Sequence, residues 1–309
     1  LPVGVTREQD PSQTQLIELN EQSMTMKVTG LGDGYSKAVY KTVDVDMRNY
    51  EKIKMFIHAE AVDDESSLAD DDVTCFIRIG QDYTENYYEY EVPLKVTPWW
   101  SSRPYPDNND NRRLVWPEEN NMEVIFDDLV NAKLERNAEI NAGNPSVSQT
   151  MPYVVTTGNG RTKRKITVVG NPNIAIVKSL MIGVRNPLQK DNVFTKDDDG
   201  REKSAEVWVN ELRLTDFNEH GGWAAQGSMN VKLADLGNVN VAGSTTQAGF
   251  GSIEQSTSQR SMEQTNSVDV AANFELGKLF PKDANVRIPM FMSYSRMAVN
   301  PEYNPFDPD

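Results

Sequence analysis

The reading turns on two adjoining stretches, AEVWVNELRLTDF (205–217) and WAAQGSMNVKLAD (223–235). In the first, Val207, Val209, Leu212 and Leu214 are strand-forming apolar residues with polar and charged residues between them. In the second the alternation is strict. Trp223, Ala225, Gly227, Met229, Val231 and Leu233 point one way, and Ala224, Gln226, Ser228, Asn230 and Lys232 the other. A period of two sustained over this length predicts a β-strand with one apolar and one polar face. The run also has the length of a membrane-crossing strand, about 9–11 tilted residues. A half-buried strand of a soluble sheet has the same pattern, so this strand alone leaves both readings open.

Outward from that point, composition changes. Residues 223–309 hold 6 basic and 9 acidic residues in 87, against 25 and 37 in the preceding 222. A drop in charge density of this kind predicts a domain boundary, which places one domain at residues 1–217 and a second segment at 218–309.

Upstream, alternating or strand-like runs recur at 16–31, 37–45, 50–62, 73–79, 87–96, 122–126, 152–157, 163–169, 177–184 and 205–214. In 50–62, Ile53, Met55 and Ile57 share a face. A Pro/Asn/Asp-rich stretch, 99–113, predicts a long surface loop. One helix is expected at 127–137, with Asp127 as N-cap, Leu129, Val130 and Leu134 on its apolar face, and Lys133 and Arg136 favouring its C-terminal end. About ten short strands with one helix predict an all-β domain, read here as a jelly-roll-like β-sandwich.

Downstream of 223 the pattern is one of antiparallel hairpins. Residues 223–233 and 239–244 flank a short turn, a Ser/Gln/Gly-rich loop covers 245–266, and 268–276 and 286–294 alternate again. Short turns alternating with a long loop are the layout of an outer-membrane barrel wall. On that reading Met229, Val231, Phe274 and Met290 face lipid or an apolar partner, and Gln226, Asn230, Asn273 and Glu275 face a watery lumen.

The residues argue against several other classes. A net charge of −15 is wrong for nucleic acid. No apolar run is long enough for a transmembrane helix. The single Cys75 allows neither an internal disulfide nor a cysteine-built zinc site, and reads as a small buried hydrophobe. His58 and His220 have no spaced partner ligands. Neither GxSxG, nor a P-loop, nor GxGxxG occurs, and among so many carboxylates none stands out as a catalytic pair. No enzyme activity, metal or cofactor is expected. Residues 70–72 and 197–199 are the calcium candidates, though neither matches an EF-hand loop and solvated acidic loops share the pattern. Tyr83, Tyr87, Tyr88 and Tyr90, with Trp99 and Trp100, form a candidate sugar platform. They support an alternative reading, a secreted carbohydrate-binding β-sandwich module. Leu1 begins mid-pattern and no element closes the fold before Asp309, so the chain is expected to be a piece of something longer.

Several stretches resemble one family. VWVNELRLTDF (207–217), LADLGNVNVAGS (233–244), AGFGSIEQ (248–255), LGKLFP (276–281), IPMFMSYS (288–295) and PEYNPFDPD (301–309) are similar, in that order, to a segment of the SprA/Sov family. These are the very large outer-membrane proteins of the type nine secretion system in Bacteroidetes, also required for gliding motility. WPEENNMEVIFDDLVNAKLERN (116–137) resembles the family's jelly-roll-like insert. The resemblance implies a protein-conducting channel in the cell outer membrane that exports folded cargo, with the sandwich domain in the periplasm or at the cell surface. It further implies a smaller barrel partner, a plug protein, contact with membrane lipid and no catalytic residues.

Overall fold

The computed structural model describes residues 23–63, 67–98, 109–255, 260–304 and 307. Trp99, Trp100, the start of the 16–31 run, parts of the loops at 99–113 and 245–266, and the final residues of 301–309 lie outside them. The chain divides by its contacts into two units, Leu1–Asn218 and Glu219–Asp309.

The described residues of the first unit form ten strands: β1 (Met24–Leu31), β2 (Ser36–Val45), β3 (Tyr50–Ala61), β4 (Thr74–Gly80), β5 (Tyr87–Pro93), β6 (Met122–Ile125), β7 (Tyr153–Thr157), β8 (Arg164–Val169), β9 (Val177–Arg185) and β10 (Lys203–Phe217). Every strand pairing is antiparallel. The strands form two sheets, ordered β1-β10-β3-β6 and β2-β9-β4-β5-β8-β7. Four pairs are nested in sequence: β1 with β10, β2 with β9, β3 with β6, and β4 with β5. β10 also pairs with β3, and β9 with β4, which winds the nested ribbon into two sheets.

One core unites both sheets. It includes Val28, Ile53, Met55, Ile57, Val124 and Val207 from one and Cys75, Ile77, Tyr88, Ile166 and Val184 from the other. Period two therefore works on both sheets, with alternate residues meeting across the interface.

β10 contains a register shift between Asn210 and Arg213, where Glu211 adopts φ 51°. The inward set changes parity there. Val207 and Val209 are buried before the shift, Leu212 is left exposed at the bulge, and Leu214 packs against the core opposite Ile53. An extra residue in one strand bends it and reverses which side chains face inward.

Helices differ from the sequence expectation in two places. A short helix α1 (Asn109–Val115) occupies the end of the stretch expected to be loop. The expected helix is longer, α2 (Phe126–Asn141), and its N-cap is Ile125, with no side-chain cap from Asp127. Its buried stripe is Phe126, Leu129, Ala132, Lys133 and Arg136, and Leu134 is exposed. Helical spacing carries the stripe from 126 through 129 and 133 to 136. Lys133 is accommodated because Nζ donates to the Pro172 carbonyl at 2.9 Å, and Arg136 because it donates to the Gly170 carbonyl. The two cations thus tie α2 to the segment after β8 and are not solvated at a helix end.

The second unit is a meander of β11 (Ala224–Leu233), β12 (Gly237–Thr246), β13 (Glu263–Glu275) and β14 (Pro289–Pro301), paired in that order. β12 and β13 run further than their apolar patterns suggested, which shortens the long loop to 247–262. Backbone pairing extends the ladder through polar residues such as Thr265, Asn266 and Ser267.

Candidate functional site

The four-stranded meander carries the predicted two-faced character, and its register fixes which residues share a face. Directly opposed residues on neighbouring strands point the same way. Met229 opposes Val241, Val241 opposes Val270, and Val270 opposes Tyr294. The next row is Val231, Val239, Ala272 and Met292, and the one after it Leu233, Gly237, Phe274 and Met290. Met229, Val231, Phe274 and Met290 therefore lie on a single face. On the two outer strands this face is well exposed, with Met229 58% accessible, Met292 56% and Tyr294 58%, while on the central strands Val239, Val241 and Val270 are half-buried and Ala272 is buried.

The opposite face is mainly polar, with Phe291, Met297 and Val299 exposed on it along β14. Gln226 opposes Ser244, Asn230 opposes Asn240, Asn238 opposes Asn273, and Glu275 opposes Pro289. Gln226, Asn230, Asn273 and Glu275 thus share this face as well. Many of its side chains are paired laterally. Asn230 donates through Nδ2 to Asn240 Oδ1, Ser244 and Ser267 lie 2.7 Å apart, and Ser295 donates to Asp269 at 2.6 Å. A trough of about 410 Å3 runs along this face. Its walls are the rows Ser228–Ala242–Asp269–Ser295 and Asn230–Asn240–Ala271–Ser293, with the backbone of the intervening row as floor.

The remaining sequence candidates are dispersed or occupied. The two acidic runs approach a common point, and a cation of the chain itself sits there: Lys203 Nζ lies 2.9 Å from Asp72 Oδ2 and 2.9 Å from Asp199 Oδ1. Arg161 covers the rest of the first run, 2.6 Å from Asp70 and 3.5 Å from Asp71. The four tyrosines do not form a platform. Tyr88 and Tyr90 are buried in the core and Tyr87 is buried beneath Arg78, while Tyr83 stacks on Tyr40 at 4.7 Å. His58 is buried, with Nδ1 2.7 Å from the Val115 carbonyl, so that nitrogen carries the proton. His220 belongs to the second unit. Among the described residues no group of three or more His, Cys, Asp or Glu could hold a metal ion. Burial, with a further push from Glu91, holds the Cys75 thiol well above its ordinary range, which leaves it protonated and unreactive.

Sequence reasoning missed an ionic layer on the outer face of the six-stranded sheet. Arg185 bridges Glu89, at 2.8 Å, and Glu91. Arg78 holds Glu89 at 2.6 Å, Lys165 holds Glu91 at 2.9 Å, and the Thr74 hydroxyl donates to Glu91 at 2.6 Å. Both carboxylates are buried. Two aromatic rings join the layer, with Arg78 over Tyr87 at 3.8 Å and Arg185 over Phe76 at 4.5 Å. Gly183 makes room for the Phe76 ring, since a Cβ there would fall 2.4 Å from the ring. Desolvation raises the Glu89 pKa, but the two guanidiniums outweigh it and hold the carboxyl below its ordinary value. The signal was present in the sequence as charges at 78, 89, 91, 165 and 185 on strands whose alternate residues are apolar.

The described residues thus form an all-β chain, a two-sheet unit followed by an amphipathic meander. A family model described as a motility related/secretion protein, SprA_N, matches residues 1–309. The chain belongs to this family, and its role lies in secretion and motility. No curated protein matches the chain.

Proposed function

We propose that residues 219–309 are part of the wall of an outer-membrane barrel that conducts folded secreted proteins, and that the first unit is a jelly roll carried by that channel in the periplasm or at the cell surface. The observation that carries this reading is the register of the meander, which sorts side chains into an apolar and a polar face over four consecutive strands. A soluble sheet would bury the apolar face against its own core, whereas here Met229, Met292 and Tyr294 are more than half exposed. Membership of a secretion and motility family supports the same role. The nested pairing of β1 to β10, β2 to β9, β3 to β6 and β4 to β5 supports the jelly-roll winding. Among the described residues no helix is long and apolar enough to cross a membrane, a criterion that does not bear on strands.

On this reading the mechanism is passage without chemistry. The apolar rows meet lipid, and the laterally paired Asn and Ser side chains line water through which cargo moves without sticking. Four strands form only a slice of a barrel, since the largest reach about 36. Cargo proteins, a smaller barrel protein and a plug are the partners that the family resemblance implies.

The test compares neighbours on one strand in the intact parent protein. A charge on the lipid face near the bilayer midplane costs roughly 2–4 kcal/mol, and far less facing the lumen. Met229→Arg should therefore impair membrane assembly, and Asn230→Arg should not. In a Cys75→Ser background, a water-soluble maleimide should label Asn230→Cys and spare Met229→Cys. Equal labelling of the two would show a solvated sheet and overturn the wall assignment.

A further inference from the structure

Among the described residues, the first unit leaves one long strand edge open. Within it, β6 and β7 are short, at 4 and 5 residues, and β1 is broken near its end by Gly30 at φ 58° and a register shift between Val28 and Leu31. Bulges, short lengths and charged side chains, lysine above all, are the usual protections of a sheet edge, and of these β2 carries only its lysines over Ser36–Thr42. It pairs with β9 in unbroken register from Ser36 to Thr42, and every side chain in that run is exposed on either face. Its other edge makes no backbone hydrogen bond among the described residues. Alternate residues of this run, about half of the seven, thus direct regularly spaced N–H and C=O groups to that edge.

Side chains along this edge select what can add to it. Lys37, Val39 and Lys41 share one face, and Ala38, Tyr40 and Thr42 the other. Val39 is 46% accessible and Tyr40 60%. Neither lysine has a carboxylate partner among the described residues, although the chain carries a net charge of −15. A second copy of the chain is a poor occupant. An antiparallel pairing centred on Val39 sets Lys37 against Lys41 of the other copy, and like charges directly opposed destabilise a ladder.

We propose that β2 is a strand-addition site for an extended acidic segment of a partner polypeptide, with carboxylates four residues apart opposite Lys37 and Lys41 and an apolar residue between them opposite Val39. Main-chain hydrogen bonds supply the attachment and the alternate side chains supply the selection. Tyr40, backed by its stack on Tyr83, offers an aromatic surface to the other face of the incoming strand. This inference stands on the first unit alone and does not depend on the wall reading.

The experiment uses the full chain and a fluorescein-labelled nine-residue peptide, with glutamate, valine and glutamate at alternate positions on one face and threonine on the other. Anisotropy titration should show saturable binding. Replacing both glutamates by lysine should weaken it by about tenfold, and Lys37→Glu/Lys41→Glu in the protein should reverse the preference. N-methylation of alternate peptide amides should abolish binding. No binding of the glutamate peptide, equal binding of both peptides, or full binding of the N-methylated one would overturn the proposal. So would a concentration-dependent dimer of the wild-type chain that Val39→Lys dissolves, because that outcome assigns the edge to a second copy.

Discussion

Removing Arg185 tests whether the ionic layer holds the first unit together. Its guanidinium is shared by Glu89 and Glu91, which are 3% and 0% exposed. Taking one partner from a buried ion pair costs about 3–5 kcal/mol, because a charge is left without compensation. Here each carboxylate keeps a second cation, Arg78 for Glu89 and Lys165 for Glu91, and the Arg185 side chain is itself 16% exposed. The loss should fall at the low end, about 3 kcal/mol. With a urea m-value of about 2 kcal/mol/M, the unfolding midpoint of the first unit should drop by about 1.5 M. Trp116 and Trp208 belong to that unit and report its transition by fluorescence. Arg185→Lys, which keeps the charge and loses the fork, should cost less than Arg185→Ala. Adding Glu91→Gln to Arg185→Ala should recover part of the loss, because it removes the charge left behind. A drop below about 1 kcal/mol, or strict additivity of the two substitutions, would refute the claim that the layer is energetically coupled.

The same layer predicts acid sensitivity. The folded pKa of Glu89 lies below its ordinary value of 4.5, so its contribution is fully present above that pH and is lost as pH falls through the folded pKa. Stability of the first unit should decline below about pH 4.5, and Glu89→Gln should flatten that decline; an unchanged pH profile in the variant would show that Glu89 is not its source. Residues 1–218 expressed alone should unfold in a single cooperative urea transition, since the core cluster lies wholly within them, and the absence of any transition would show that the meander completes their fold.

Most strands were legible because alternation is a local property. Whether residue i and residue i+2 share a face depends on the backbone pleat alone, so Ile53, Met55 and Ile57, or Met229 and Val231, could be assigned to one face without knowing what covers it. The bulge in β10 was not read from the sequence, although it left a trace there. Val207 and Val209 occupy odd positions and Leu212 and Leu214 even ones, a change of parity that an uninterrupted strand cannot bury on one side.

What the residues determined by themselves was the all-β class, the change of character near Trp223 and the two faces of the meander. Partner choice was decided only in three dimensions. That β10 lies between β1 and β3, or that β9 joins β2 to β4, depends on contacts more than a hundred residues apart, which no local period encodes. The same holds for charge. By polarity alone Lys133, Arg136, Glu89, Glu91 and Lys203 would each be placed in water. Each leaves the surface because the fold brings it an opposite charge or a carbonyl from a distant segment. A residue's polarity is local, but the compensation that permits its burial is supplied by tertiary structure.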